Sequence, residues 1–423
     1  MNATVSAAGR RRQLNSGAVP ESSPATSKAA STAISRAAAD RCPGVLRLTE
    51  AADGFLARIR LPGGLVSAAQ LRVLARLAGD LGDGRIELTS RGNVQLRGLA
   101  PDAADPLTEA LRAAGLLPSL DHDRVRNILA SPLAGLDGGP DLTGIVRALD
   151  EELCARPRLA GLPGRFLFAI DDGRGDVAGH GADVLAVIRN DGVILNGLAV
   201  THDQLVTAML ACAEAFMDER AAHDGSAWRI ADLPHGHDRV RDAVAERLGL
   251  AAAPAGPVPA RPGAVAGARP VGLVRRGETG GAGEEGLSVR HDAATGAVLV
   301  APLGRLAASQ LTWVCGRADQ ARVTPWRSVV LPRVPDPDAV LREAAALGFG
   351  VDAASPWLRV TACAGRPGCA SALADVQADA AAFAERWPGR IVHVSGCARH
   401  CGRPAATEID VTATSEGYQI ADI

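Results

Sequence analysis

Four of the eight cysteines, Cys363, Cys369, Cys397 and Cys401, fall in one short stretch, whereas Cys42, Cys154, Cys212 and Cys315 are scattered singly. Thiolates are soft metal ligands, so four of them in two pairs point first to a metal or a cluster. Five residues separate Cys363 from Cys369, and three separate Cys397 from Cys401. Zinc sites favour two to four residues within a pair, so the wider gap fits zinc poorly; iron–sulfur clusters accept four thiolates over more varied spacings. Two disulfides are the other possibility. They suit small secreted scaffolds, and this chain has 423 residues and no apolar h-region of a secretory signal. Gly365, Gly368, Gly396 and Gly402 would let backbone N–H groups approach a cluster's sulfides, although on their own they indicate only turns.

The surrounding elements explain how the pairs could meet. Trp357-Leu-Arg-Val-Thr-Ala-Cys363 and Ile391-Val-His-Val-Ser-Gly-Cys397 each read as a short apolar strand running into a cysteine. Leu373, Val376, Ala380 and Phe383 give the segment between them one apolar helical face. A βαβ unit joining neighbouring strands makes them parallel, and both pairs then reach the sheet edge where α/β folds bind ligands.

Further from the cysteines, a β-α-β-β-α order occurs twice. The first copy has strands at 55–61, 85–89 and 94–97, with helices at 67–80 and 106–114. The second has strands at 297–300, 322–324 and 328–331, with helices around Gln310-Leu311 and over 337–347. Gln70-Leu71 and Thr89-Ser-Arg91 of the first copy reappear as Gln310-Leu311 and Thr324-Pro325-Trp326-Arg327, an internal duplication. The expected organisation is a disordered tail at 1–40, a ferredoxin-like half-domain at 41–120 and an α/β module at 121–248. A Pro/Ala/Gly-rich linker at 249–285, a second half-domain at 286–350 and the cysteine module at 351–423 follow. The expected fold class is α+β, with duplicated half-domains and α/β modules related by a pseudo-twofold.

Together these features resemble the siroheme sulfite and nitrite reductase superfamily. Its cluster motif, Cys-x5-Cys followed by Gly-Cys-x3-Cys-Gly, stands here as Thr-Ala-Cys363-Ala-Gly-Arg-Pro-Gly-Cys369 and Ser-Gly-Cys397-Ala-Arg-His-Cys401-Gly. The resemblance implies a 4Fe-4S cluster on the four cysteines. Its Thr-x-Arg-x-x-x-Gln motif is matched by Thr89-Ser-Arg91-Gly-Asn-Val-Gln95, and its Arg-Asn pair by Arg126-Asn127. Arg91 and Arg126 would then face a tetrapyrrole, where a guanidinium holds a carboxylate through two parallel hydrogen bonds.

One departure changes the chemistry expected. The reductases' Leu-Pro-Arg-Lys-Phe-Lys, whose lysines bind and protonate an anionic substrate, stands here as Leu162-Pro-Gly-Arg165-Phe-Leu167. The chain has 44 arginines and one lysine, Lys28. Arginine stays protonated near neutrality and leucine has no proton to give, so multi-proton reduction is poorly equipped.

Within the superfamily, Cys42-Pro-Gly-Val, Asp53-Gly-Phe, Arg60-Leu-Pro-Gly-Gly64 and Thr324-Pro-Trp-Arg327 are similar to the precorrin-3B synthase family of aerobic cobalamin biosynthesis. That resemblance implies oxygen-dependent hydroxylation of precorrin-3A at C20 with γ-lactone formation. It also implies an electron donor of unspecified identity, a mononuclear non-haem iron, and a substrate grip by Arg91, Gln95, Arg126, Asn127, Arg165 and Arg327. His235-Gly-His237-Asp238 offers two histidines and a carboxylate, a candidate ligand set for that iron. His393 and His400 flank the cluster cysteines and could serve as hydrogen-bonding neighbours. The alternatives are a divergent reductase that keeps siroheme as a prosthetic group, and an electron carrier with no macrocyclic substrate.

Composition excludes other classes. A net charge of −2 lacks the basic excess of a dedicated nucleic-acid binder. No apolar run approaches the roughly 20 residues of a membrane span. The expected location is the cytoplasm, where thiolates stay reduced.

Overall fold

The computed structural model describes residues 42–136, 138–189, 191–254, 271–275 and 294–423. The tail expected at 1–40 and most of the linker expected at 249–285 lie outside the described residues.

Two five-stranded antiparallel sheets carry the duplication. The first runs Thr49–Ala51, Gly54–Ile59, Val94–Leu99, Arg85–Leu88, Arg305–Ala307; the second runs Gly272–Arg275, Ala294–Val300, Ser328–Pro332, Gln320–Val323, Leu65–Ser67. The last strand of each sheet comes from the other copy. Val66 pairs with Ala321, and Leu306 pairs with Ile86. Each exchanged strand follows a short 3-10 turn, Pro62–Gly64 or Pro302–Gly304, and leads directly into a helix. At the first of these turns Gly64 has a φ of +69°, and a Cβ there would lie 2.0 Å from the carbonyl oxygen of Val323. Only glycine allows the exchanged strand to approach so closely.

The helix Ala68–Leu81 starts where the sequence places it. Ser67 Oγ accepts from the Gln70 N–H at 3.1 Å, and Gln70 Oε1 accepts from the Ser67 N–H at 3.0 Å, a capping box. In the second copy Ala307 has no side-chain acceptor, and only Gln310 Oε1 accepting from the Ala307 N–H, at 2.9 Å, remains. The apolar faces of both copies, including Leu71, Leu74, Ala78, Leu311 and Val314, merge into one core.

Two further sheets share a plan. In one, Ile128–Ala130, Phe168–Asp171 and Val184–Arg189 are parallel, with antiparallel Gly192–Leu195 and Leu198–Val200 beyond. In the other, Val360–Ala362, Val392–Ser395 and Ile409–Thr414 are parallel, with antiparallel Gly417–Asp422 beyond. The parallel pairing expected of the two cysteine-bearing strands is present. Val376 and Ala380 are buried on the connecting helix Val376–Arg386 and Phe383 packs against the same core, whereas Leu373 precedes the helix and is exposed.

The expectation of a linker over 249–285 needs correction. Gly272–Arg275 within it is the outermost strand of the second sheet and pairs with Ala294–Val300. Short strands flanked by glycine, proline and arginine carry too little alternation to register in composition.

Candidate functional site

The parallel strands bring the cysteine pairs together. The Cys363 N–H donates to Val394 O across the strands at 3.1 Å, and Cys363 Sγ accepts from the Gly396 N–H at 3.1 Å. Gly396 is the residue before Cys397, so the first pair touches the loop of the second. A Cβ on Gly396 would come within 2.7 Å of Ala372 Cβ and 3.5 Å of Cys363 Sγ, so the approach depends on glycine. Cys363, Cys369 and Cys397 are half-buried and Cys401 is exposed; none of the eight cysteines is in a disulfide.

Among the described residues, no three cysteine sulfurs lie within 4.8 Å of one another. The fit to an iron–sulfur cluster rests on the chemistry of the donor set, four thiolates in two pairs, with Cys363 Sγ held against the Gly396 N–H beside Cys397.

The first sheet supports this edge from outside the module. A row of side chains crosses it in register. Arg58 Nη2 donates to Gln95 Oε1 at 2.9 Å, Gln95 Nε2 donates to Glu87 Oε2 at 2.9 Å, and Arg305 Nε lies 3.5 Å from Glu87 Oε1. Arg305 Nη1 continues to Gln377 Oε1 at 2.5 Å, and Gln377 Nε2 donates to the Cys363 carbonyl at 3.1 Å. Arg97, on the same face as Gln95, forks onto Asp53 through Nε and Nη2 at 2.9 and 2.8 Å. Its Nη2 also donates to the Gly368 carbonyl at 2.8 Å.

At the other end of the row lie three arginines, Arg58, Arg60 and Arg91, for which no carboxylate ion pair is formed among the described residues. Ala57, Ile59 and Leu61 point into the core, which puts Arg58 and Arg60 on the opposite face. Arg60 is 3% exposed; its Nη2 reaches the Pro43 and Arg124 carbonyls only at 3.3 Å, and Nε and Nη1 have no partner. Arg58 Nε is also unpartnered, and Arg91 Nη1 reaches the Gly164 carbonyl at 3.5 Å. Burial, followed by repulsion from Arg58, pulls the Arg60 guanidinium down to about 9. Arg58 is lowered chiefly by burial, and Arg91 by burial and then Arg229. Near neutrality these are crowded, partly desolvated cations, of which Arg58 and Arg60 keep unpartnered donors, an arrangement relieved by binding a multiply charged anion. Sequence reasoning did not single out Arg58 and Arg60 because alternation on a strand reads as a solvated face. Their closeness to Arg91 is a tertiary fact.

The structure separates the predicted substrate residues. Arg91 and Gln95 belong to this group. Arg126 does not: it is 3% exposed, forks onto Asp150 at 2.7 Å through Nε and Nη2, and donates from Nη1 to Leu116 O at 3.0 Å. Its donors are spent internally, so the expectation that it grips substrate is corrected. Asn127 Nδ2 donates to Arg124 O and Gly164 O at 3.1 and 3.0 Å, which makes it a brace behind the arginines and not a contact. Arg165 is exposed and stacks over Trp228, 5.4 Å from the ring centroid. Arg327, at φ +64°, packs against Gly304 and lies close enough to lower the His393 pKa.

His235, His237 and Asp238 are exposed around the start of the helix Gly236–Leu248, and Asp238 pairs with Arg241 at 2.8 Å. Their ligand atoms do not cluster, so the expected iron site is not assembled there. The histidines near the cysteines are held internally. His400 Nδ1 lies 3.0 Å from Asp410 Oδ2, and His393 Nδ1 is 2.8 Å from Thr361 Oγ1. Burial pushes His393 down to about 4. Across the three parallel strands Thr361, His393 and Asp410 stand in register. The corresponding row in the other module is Leu129, Ala169 and Leu185, which is apolar. Among the described residues this register row is polar in the cysteine-bearing module, with His393 and Asp410 buried and Thr361 half-buried, and apolar in the other.

Comparison with known proteins agrees with this architecture. Residues 47–114 match the family model of the nitrite/sulfite reductase ferredoxin-like half domain. The chain is 29% identical to a precorrin-3B synthase of Sinorhizobium sp over 93% of this chain and 84% of that protein. It is 27% identical to a ferredoxin–nitrite reductase of Synechococcus elongatus over 84% of this chain and 75% of that protein. The solved structure of the NirA protein of Mycobacterium tuberculosis superposes with a TM-score of 0.67 at 21% identity, covering 86% of this chain and 73% of that one; it supports the fold. Over most of its length the chain is similar to oxidoreductases of the nitrite and sulfite reductase type, and residues 47–114 carry their ferredoxin-like half domain.

Proposed function

We propose that this protein is an iron–sulfur oxygenase that hydroxylates precorrin-3A at C20, with γ-lactone formation, in aerobic cobalamin biosynthesis. The observation that carries this reading is the group formed by the buried Arg60 and the half-buried Arg58 and Arg91, which have no carboxylate ion-pair partner among the described residues and which connect through Gln95, Glu87, Arg305 and Gln377 to the cysteine edge. A macrocycle bearing many carboxylates is the anion such a group suits. Cys363, Cys369, Cys397 and Cys401 would hold a 4Fe-4S cluster, which supplies electrons from an external donor. The chain's own residues bind and orient the substrate: Arg60 and Arg91 by charge, Arg58 by charge and through Gln95.

The similarity to a precorrin-3B synthase over 93% of the chain supports this reading. So does the loss of proton donors: Arg165 is exposed over Trp228, and Leu167 is 2% exposed in an apolar cluster. A mononuclear iron belongs to the proposal, with no ligand set assigned. The second reading, a siroheme-dependent reductase, rests on the 27% identity to a ferredoxin–nitrite reductase.

The test is anaerobic purification and cluster reconstitution, then incubation with precorrin-3A, a reductant and oxygen, with the hydroxylactone followed by mass. Formation of that product is expected. An intact cluster without turnover would sink the proposal, and a retained haem-type spectrum with nitrite or sulfite consumption would establish the second reading.

A further inference from the structure

Arg97 is unusual among the arginines of the first sheet because it contacts a cysteine-bearing loop directly. Its guanidinium is 8% exposed, its partner Asp53 is 16% exposed, and the Gly368 carbonyl immediately before Cys369 accepts from Nη2 at 2.8 Å. The fit is close from both sides. A Cβ on Gly368 would meet Arg97 Nη2 at 2.9 Å and Asp53 Oδ2 at 3.2 Å. The other end of the same loop, at Cys363, is held through Gln377 and Arg305. The loop is thus clamped at both ends by the first sheet, which is not part of the module that carries the cysteines.

Resting on the iron–sulfur reading above, we propose that Arg97, seated on Asp53, is a positioning residue for Cys369. The fork onto Asp53 fixes the guanidinium plane, leaving an N–H aimed at one backbone carbonyl. Holding that carbonyl fixes the peptide from which the Cys369 side chain projects. Arg97 also places a desolvated positive charge beside the loop, balanced by Asp53. Loss of the cation alone leaves the Asp53 carboxylate beside the cluster and disfavours adding an electron.

The experiment uses full-length protein reconstituted with iron and sulfide. It measures iron and sulfide per chain, the rate of cluster loss to an iron chelator, the cluster's midpoint potential, and folding by thermal melt. Arg97→Gln is expected to lose its cluster roughly ten-fold faster, as loss of a charged hydrogen bond implies, and to show a more negative potential. Gly368→Ala keeps every charge and should also lose its cluster faster, because the methyl displaces the guanidinium. The double variant Arg97→Gln/Asp53→Asn should return the potential toward wild type while cluster loss stays fast. Arg97→Lys should hold the potential near wild type.

Folded Arg97→Gln and Gly368→Ala proteins with wild-type cluster retention would overturn the positioning role. An Arg97→Gln that fails to fold leaves Gly368→Ala to decide. A wild-type chain that takes up no cluster would overturn the iron–sulfur reading and this inference together, whereas normal wild-type loading with unaffected variants overturns only the inference.

Discussion

At the scale of single residues, the decisive distinction is between arginines whose donors are spent and arginines whose donors are free. Arg126 and Arg60 are equally buried at 3% exposure, yet Arg126 forks onto Asp150 while Arg60 has two nitrogens without partners. Arg126→Ala removes one member of a buried ion pair and strands Asp150. It should cost about 3 kcal/mol, the lower end for such pairs because Asp150 is 17% exposed, read by urea denaturation. Arg60→Met should do the opposite. It removes a desolvated cation that makes no direct ion pair among the described residues and feels Asp123 only at longer range, so the ligand-free protein should be more stable by roughly 1–2 kcal/mol while its affinity for a polycarboxylated tetrapyrrole drops. A destabilised Arg60→Met that binds normally would remove Arg60 from the site. In sequence both residues look alike, as arginines beside apolar positions; only their surroundings separate them.

At the scale of elements, strands and their loops do the positioning. The loop after Phe168–Asp171 occupies the place that Cys397–Cys401 occupies in the other module, since both follow the middle parallel strand. Here it is organised by Asp171, whose carboxylate accepts from the N–H groups of Gly173, Gly175, Val177 and Ala178. Asp176 in that loop is raised from 3.8 to about 7 by burial, against the opposing Ser131 hydrogen bond and Arg174. The folded state therefore binds the extra proton between those two values. The stability contributed by protonated Asp176 is complete below about pH 4 and lost as pH rises through about 7. Asp176→Asn should abolish this slope, worth up to about 4 kcal/mol across the window, as measured by denaturation at pH 4.5 and 7.5. An unchanged slope would show that Asp176 is not its source. The exchanged strand offers a second test at this scale. Gly64→Ala drives a methyl into the Val323 carbonyl and forces a residue with a Cβ into positive φ. It should cost at least about 2 kcal/mol and reduce hydrogen-exchange protection along Leu65–Ser67 and Gln320–Val323.

For the whole molecule, the reciprocal exchange makes the halves interdependent. Leu65–Ser67 completes the second sheet, Arg305–Ala307 completes the first, and both sheets share one core. The two half-domain sheets should therefore unfold in one transition, with amides in the two exchanged strands opening at the same free energy. Separate openings would show that the halves are independent. The cysteine edge depends on the same assembly, because Arg97, from the first copy, and Arg305, on a strand inserted beside it, reach the Cys363–Cys369 loop.

The sequence by itself determined the local parts: the two cysteine pairs at the ends of short apolar strands, the connecting helix, the duplicated β-α-β-β-α order and the capping box at Ser67. These follow from residue spacing and periodicity, which act over a few turns or a strand's length. Only the tertiary structure decided which strands change partners and which of the many arginines are left without a carboxylate. It also paired Arg126 with Asp150 and set Arg97 against the Gly368 carbonyl. Those properties depend on which residues far apart in the chain become neighbours after burial, and neither spacing nor composition encodes the distance from Arg97 to Gly368 or from Arg126 to Asp150.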